Sequence, residues 1–168
     1  MFVQKPDSRS NDPYRSPRPR NAGSSVTTNT GGFFNEFEGL GGYDQITGNG
    51  ATRVSYYHAT GGVTVTFTEG SWTSTSSGAS GTATGDASVG TDTFTGVSQI
   101  RGSNFADVFY GSNNPTATTE TFEGLGGNDT INGGGGFDRA VYNLAYSGTG
   151  INVQLAAGTV TGGTDIGT

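Results

Sequence analysis

Gly124-Leu125-Gly126-Gly127-Asn128-Asp129-Thr130-Ile131-Asn132 runs without a break into Gly133-Gly134-Gly135-Gly136-Phe137-Asp138-Arg139-Ala140-Val141. Both nonapeptides fit the pattern G-G-x-G-x-D-x-U-x, where U is apolar, with one departure at Leu125. The first six residues of each form a turn, because glycine accepts positive φ and aspartate caps local backbone. The last three form a very short strand whose middle apolar side chain points inward. Two such turns and two such strands complete one coil of a flattened parallel solenoid. Asp129 and Asp138 then fall on opposite edges, and each edge repeats every two periods, about 18 residues.

Farther out, the chain duplicates itself. Phe37-Glu38-Gly39-Leu40-Gly41-Gly42-Tyr43-Asp44-Gln45-Ile46 recurs 85 residues later as Phe122-Glu123-Gly124-Leu125-Gly126-Gly127-Asn128-Asp129-Thr130-Ile131, with eight of ten positions identical. Val63-Thr64-Val65-Thr66-Phe67 corresponds to Ile151-Asn152-Val153-Gln154-Leu155, and both alternate apolar and polar as strands do. Asp92-Thr93-Phe94, Asp107-Val108-Phe109 and Glu120-Thr121-Phe122 supply single, imperfect rungs of the same kind. Residues 71–84, with nine Ser or Thr, read as a loop or irregular coil. The expected organisation is a Pro/Arg-rich flexible arm over 1–32, a first and degraded module over 33–110, and a second module over 111–168. The second copy stops early, so the chain reads as a piece of a longer protein or as a subunit with an open edge.

Composition restricts the function classes. Only 30% of the 168 residues are hydrophobic and 31 are glycine, too little for the large apolar core of an ordinary α/β enzyme. Cysteine is absent, which excludes disulfides and thiolate metal sites. No apolar run approaches the roughly 18 residues that span a membrane. The first residues, Met1-Phe2-Val3-Gln4-Lys5-Pro6-Asp7, lack the apolar stretch of a cleavable signal peptide. Residues 1–20 carry five basic side chains against two acids, a net of +3; the remainder carries three against twelve, a net of −9. A body this acidic repels nucleic acid and attracts cations.

Stacked turns bring carbonyl oxygens and carboxylates into one gap. Such a hard, all-oxygen site of flexible size suits Ca²⁺ rather than Zn²⁺ or Cu²⁺. Three short apolar positions per half-coil do not fold the chain unaided, so metal binding and folding are expected to be one event. The nonapeptides resemble the RTX, or haemolysin-type, calcium-binding repeats of bacterial secreted proteins. The resemblance covers roughly residues 33–59 and 92–146. It implies an all-β parallel β-roll with Ca²⁺ between successive turns. It also implies an extracellular or cell-surface location reached by type I secretion, which uses no N-terminal signal peptide.

The expected ligands are the carboxylates of Asp129 and Asp138, then Asp107 and Asp44, then Glu120, Asp92 and the amide of Asn35. Backbone oxygens come from Gly124, Gly126, Gly133 and Gly135. Asp107 and Asp129 are expected on one edge, Glu120 and Asp138 on the other. In the first copy Asn35 stands where the second has Glu120, and Arg53 where it has Asp138. Arg53 is expected to neutralise that gap in place of a metal.

No catalytic constellation emerges. His58 is the sole histidine and lacks a nucleophile elbow around any serine. The G-x-G starts at Gly39 and Gly124 lack the third glycine of a dinucleotide site. Asn128-Asp129-Thr130 is a glycosylation sequon by coincidence. Trp72, Tyr56, Tyr57, Tyr110, Tyr142 and Tyr146 are candidates for a sugar-stacking surface or for covering a thin core. The expected function is a non-enzymatic, Ca²⁺-dependent structural module of a surface layer, filament or adhesin. The alternatives are an accessory module of a secreted protease, lipase or alginate epimerase, and a carbohydrate-binding module. Expected partners are calcium, further copies joined end to end or through the arm, and a surface polysaccharide.

Overall fold

The computed structural model describes residues 34–71, 78–114 and 118–142, together with the backbone of three short strands at 25–27, 152–154 and 159–161. Among these residues the protein is all-β, without a helix. The strands are β1 (Ser25–Thr27), β2 (Asn35–Phe37), β3 (Gln45–Thr47), β4 (Thr52–Ser55), β5 (Thr64–Phe67), β6 (Ala79–Thr84) and β7 (Thr91–Val97). They continue as β8 (Gln99–Arg101), β9 (Val108–Tyr110), β10 (Thr119–Glu123), β11 (Thr130–Asn132), β12 (Phe137–Val141), β13 (Asn152–Gln154) and β14 (Thr159–Thr161).

Two sheets carry most of them. One has five strands in the order β12-β10-β8-β4-β2, all parallel. The other has seven, in the order β1-β3-β7-β6-β5-β9-β11. From β2 to β5, and again from β7 to β12, successive strands alternate between the two sheets. Both sheets therefore run across residue 110, where the two modules were expected to divide. β13 and β14 form a separate antiparallel pair. β1 falls within the stretch expected as an arm and pairs in parallel with β3; the other residues before Phe34 lie outside the described residues.

The expectation of coil over 71–84 is corrected. Ala79–Thr84 forms a central strand, antiparallel to both β5 and β7. The reason lies in Gly81: an ideal Cβ there would sit 2.5 Å from the Phe94 ring and would overlap the Thr66 carbonyl. Only glycine lets this strand pass beneath the aromatic ring. Residues 72–77 lie outside the described residues.

Alternation drives the packing. β5 alternates exposed and buried, and β7 does so over its first five residues, as expected for strands with one face on a core. Inward residues pair in register along each sheet. Ile46 faces Phe94, Val65 faces Phe109 and Phe109 faces Ile131 in the larger sheet. Phe37, Val54, Ile100 and Phe122 follow one another in the smaller, and Ala140 continues their register on the edge strand, where it is exposed. Phe122 joins the layers. Its ring lies 5.8 Å from that of Phe67, edge-on, and 5.9 Å from that of Phe109, stacked. Full burial of such a side chain contributes about 1.5–3 kcal/mol. The interior is therefore more substantial than the composition suggests, because a few phenylalanines fill space that many aliphatic residues would otherwise occupy.

Candidate functional site

The turns entering the seven-stranded sheet place an acid two residues before the inward residue of the next strand. Asp44 precedes Ile46, Asp92 precedes Phe94, Asp107 precedes Phe109 and Asp129 precedes Ile131. Because β3 neighbours β7, and β9 neighbours β11, the acids are brought together as two pairs, Asp44 with Asp92 and Asp107 with Asp129. The antiparallel β5–β6–β7 segment separates the pairs. The expected sharing of an edge by Asp107 and Asp129 is thus found.

Three of these carboxylates, those of Asp92, Asp107 and Asp129, point in one direction along the sheet. Asp92 Oδ1 accepts from the backbone N–H of Asp44 at 3.1 Å, and Asp129 Oδ1 from that of Asp107 at 2.9 Å. Asp107 Oδ1 accepts from the N–H of Val63 at 2.8 Å, the equivalent position of β5. Each acid thereby satisfies a donor on the neighbouring strand that the ladder would leave unpaired. Asp107 also accepts from Ser103, at 2.7 Å from its N–H and 2.8 Å from its hydroxyl. Asp92 accepts in addition from the Tyr56 hydroxyl at 3.2 Å.

Glycine is required because the same carboxylates fold back into their own turns. A Cβ at Gly39, Gly102, Gly124 or Gly133 would overlap the carboxylate of Asp44, Asp107, Asp129 or Asp138, in each case five residues later. In three of these four turns the second position is left-handed. Leu40 and Leu125 adopt φ of 62° and 72°, and Gly134 takes 81° at the same place. Leu125, the departure from the nonapeptide, therefore occupies a conformation made for glycine. Gly126, an expected oxygen donor, is sterically ordinary: a Cβ there would meet nothing closer than 3.5 Å.

On the opposite edge, the residues two before the inward ones are Asn35, Thr52, Ser98, Glu120 and Asp138. Glu120 and Asp138 are direct partners across β10 and β12, as expected. Glu120 is fully buried and accepts from Ser112 through both oxygens, at 2.9 Å from the N–H and 2.6 Å from the hydroxyl. Asp138 Oδ1 is buried without a hydrogen bond. Asn114 is close enough to both acids to favour their ionised forms, yet its amide atoms make no hydrogen bond of good geometry.

The expectation for Arg53 is overturned. Asn35 pairs with Thr52, so Thr52 holds the position that Asp138 holds in the second copy. The first-copy turn is one residue shorter: Thr52 comes four residues after Gly48, whereas Asp138 comes five after Gly133. Arg53 is thereby turned away from the edge. It pairs with Glu36 at 2.6 Å and with Glu123 at 3.4 Å, both of which also hold Arg101.

Burial pushes Asp92 and Asp129 from 3.8 up to about 7, and the Asp107 charge adds to the effect on Asp129. Asp107, Glu120 and Asp138 are also raised, again chiefly by burial. A carboxylate so placed is either protonated or balanced by a cation. Among the described residues no three His, Asp or Glu side chains converge. The acidic contribution at any one place is therefore a pair, and further oxygens would have to come from turn carbonyls.

The sequence reading did not find Ser103, Ser112, Asn114 or the role of Tyr56. A signal for the serines exists: Gly102-Ser103-Asn104 recurs nine residues later as Gly111-Ser112-Asn113. Tyr56 is buried against Asp92, so it is no part of an exposed aromatic surface. Tyr57 and Tyr110 are exposed, and Trp72 and Tyr146 lie outside the described residues. His58 is exposed and binds Glu38, through its backbone N–H and its ring Nδ1, both at 2.7 Å. Comparison with protein-family models, curated proteins and solved structures finds no match.

Proposed function

We propose that this chain is a non-enzymatic calcium-binding β-roll module of a secreted or surface-displayed protein. One observation supports the reading above the others: on both edges of a mostly parallel pair of sheets, acids recur two residues before the inward side chain, and Asp44, Asp107, Asp129 and Asp138 each fold back over a glycine five residues earlier. Successive β2–β5 and β7–β12 strands alternating between the sheets are the coils of that roll. The residues present fit a hard cation in type. Asp129 with Asp107 would hold it on one edge, and Asp138 with Glu120 on the other, with oxygens from Gly124, Gly133 and Gly135 completing the set.

Bound Ca²⁺ would supply the positive charge that lets these buried and half-buried carboxylates stay ionised at neutral pH. Asp44 and Asp92 are weaker candidates, because Tyr56 already occupies one oxygen of Asp92. Asn35 is the register partner of Thr52 rather than of an acid, so it is a weaker candidate. The module is proposed to build a surface layer, filament or adhesin by stacking, and no membrane-spanning helix is found among the described residues.

The test is circular dichroism during a Ca²⁺ titration of the whole chain, repeated on Asp129→Ala and Asp138→Ala. A β signal or melting temperature that rises with Ca²⁺, and rises less in each variant, supports the reading. An identical signal and melting temperature in Ca²⁺ and in EGTA overturns it.

A further inference from the structure

The outer face of the seven-stranded sheet carries an ordered array of threonines. Thr93, Thr82 and Thr66 are direct register partners across β7, β6 and β5, and all three are exposed. Two residues along each strand, Thr91, Thr84 and Thr64 form a second row, paired in the same manner and equally exposed. Tyr110 and Asn132 extend the first row, and Val108 and Thr130 the second. No outward position of these rows is charged, although the chain as a whole carries a net charge of −6.

The spacing follows from the sheet itself. Neighbouring strands lie about 4.8 Å apart and alternate residues about 6.6 Å apart, so the six threonines form a two-by-three grid with these repeats. Threonine is stiff at χ1, so each side chain presents one methyl and one hydroxyl in a fixed relation. The result is an uncharged surface on which threonine side chains repeat with the spacing of the sheet.

We infer that this face binds the surface of ice. The repeats resemble those between oxygen atoms on the faces of hexagonal ice, which a flexible or charged surface does not reproduce. Charge complementarity points the same way: a neutral face on an acidic protein suits a neutral partner, and neither a polyanion nor an anionic membrane is one. A crystalline polysaccharide is also neutral, but aromatic stacking would be expected to anchor it. Tyr110 on β9 and Tyr43 just ahead of β3 are exposed rings at opposite margins, with β7, β6 and β5 between them, so they form no continuous stacking platform. This inference goes beyond the calcium reading and stands on different residues.

The experiment is growth of single ice crystals in the purified whole chain with Ca²⁺, reading facet formation and thermal hysteresis, alongside retention on crystalline cellulose. Wild type should facet the crystals and give measurable hysteresis. Thr82→Tyr and Thr66→Tyr should each lower it at least fivefold with an unchanged circular dichroism spectrum, while Arg139→Ala on the other sheet leaves it intact. Where a tyrosine variant does not fold, Thr82→Ser and Thr66→Ser, which keep the hydroxyl and lose the methyl, should lower it at least twofold. The inference is overturned by a wild type that leaves ice unshaped, by threonine variants as active as wild type, or by retention on cellulose without any effect on ice. If EGTA changes neither fold nor hysteresis, the ice reading holds and the calcium reading fails.

Discussion

The two copies of the duplicated motif share their glycines and differ in their acids. Around Asp44 and Asp129 the turns are alike: a leucine in the left-handed second position, a glycine in the fourth, and a carboxylate folded back over the glycine five residues before it. Around Thr52 and Asp138 they diverge. Loss of one residue after Gly48 puts a hydroxyl where the second copy has a carboxylate, and Thr52 closes its turn with Asn49 at 3.0 Å. One copy thus completes that turn by internal hydrogen bonds, whereas the other leaves a buried acid oxygen without one. A backbone path can persist while its chemistry is lost, because glycine conformation sets the path and a single register position sets the chemistry.

The largest expected effect is on what the copies share. Phe122→Ala removes the ring that touches Phe67 and Phe109, and should cost about 3–5 kcal/mol in urea unfolding, with or without Ca²⁺. A loss much smaller than this would mean that the two sheets do not depend on one core. Next comes what separates the copies. Free Ca²⁺ at a hundred times its dissociation constant should stabilise the chain by about 2.7 kcal/mol per site. Asp138→Ala should remove one such increment and Thr52→Ala none; equal losses would erase the distinction between the two turns.

Acid should act oppositely to metal. Asp92 and Asp129 are raised by burial from 3.8 to about 7. A raised folded-state value means that their contribution is fully present below about pH 4 and is lost as pH rises through about 7. In EGTA the urea midpoint should therefore fall between pH 4.5 and 8. Asp92→Asn should recover on the order of 1–3 kcal/mol at pH 8 while keeping the Ca²⁺ response. Asp129→Asn should recover a similar amount and lose the response. The smallest effect tests the similarity: Leu40→Gly and Leu125→Gly should each stabilise by roughly 0.5–1 kcal/mol, because both leucines sit at positive φ. A melting temperature lowered in one and raised in the other would show that the turns are not equivalent.

Much of this was legible before the structure. The D-x-U rungs at Asp44, Asp92, Asp107, Asp129, Glu120 and Asp138 all begin or precede strands, since glycine turns and alternating apolar residues act over a few positions. The pairing of Asp107 with Asp129, and of Glu120 with Asp138, followed from counting periods. Three features did not follow. Ala79–Thr84 looked like coil because Ser and Thr dominate it, and only the Phe94 ring above Gly81 explains why a strand runs there. Arg53 was misplaced because a constant offset of 85 residues hides a one-residue deletion. Tyr56 was open between a sugar-stacking surface and the cover of a thin core, and its burial against Asp92 decides for the core.

By itself, the sequence determined the local geometry of this protein: where the chain turns, which residues bear the positive φ, and where a carboxylate meets its glycine. Those depend on steric limits within one nonapeptide, and they hold wherever it sits. Tertiary structure alone decided that an antiparallel segment runs between the two acid pairs of the larger sheet, and that threonines from three strands align into a grid. Register between distant segments depends on how rings and small residues fit between two sheets, and no spacing within a nonapeptide encodes that fit.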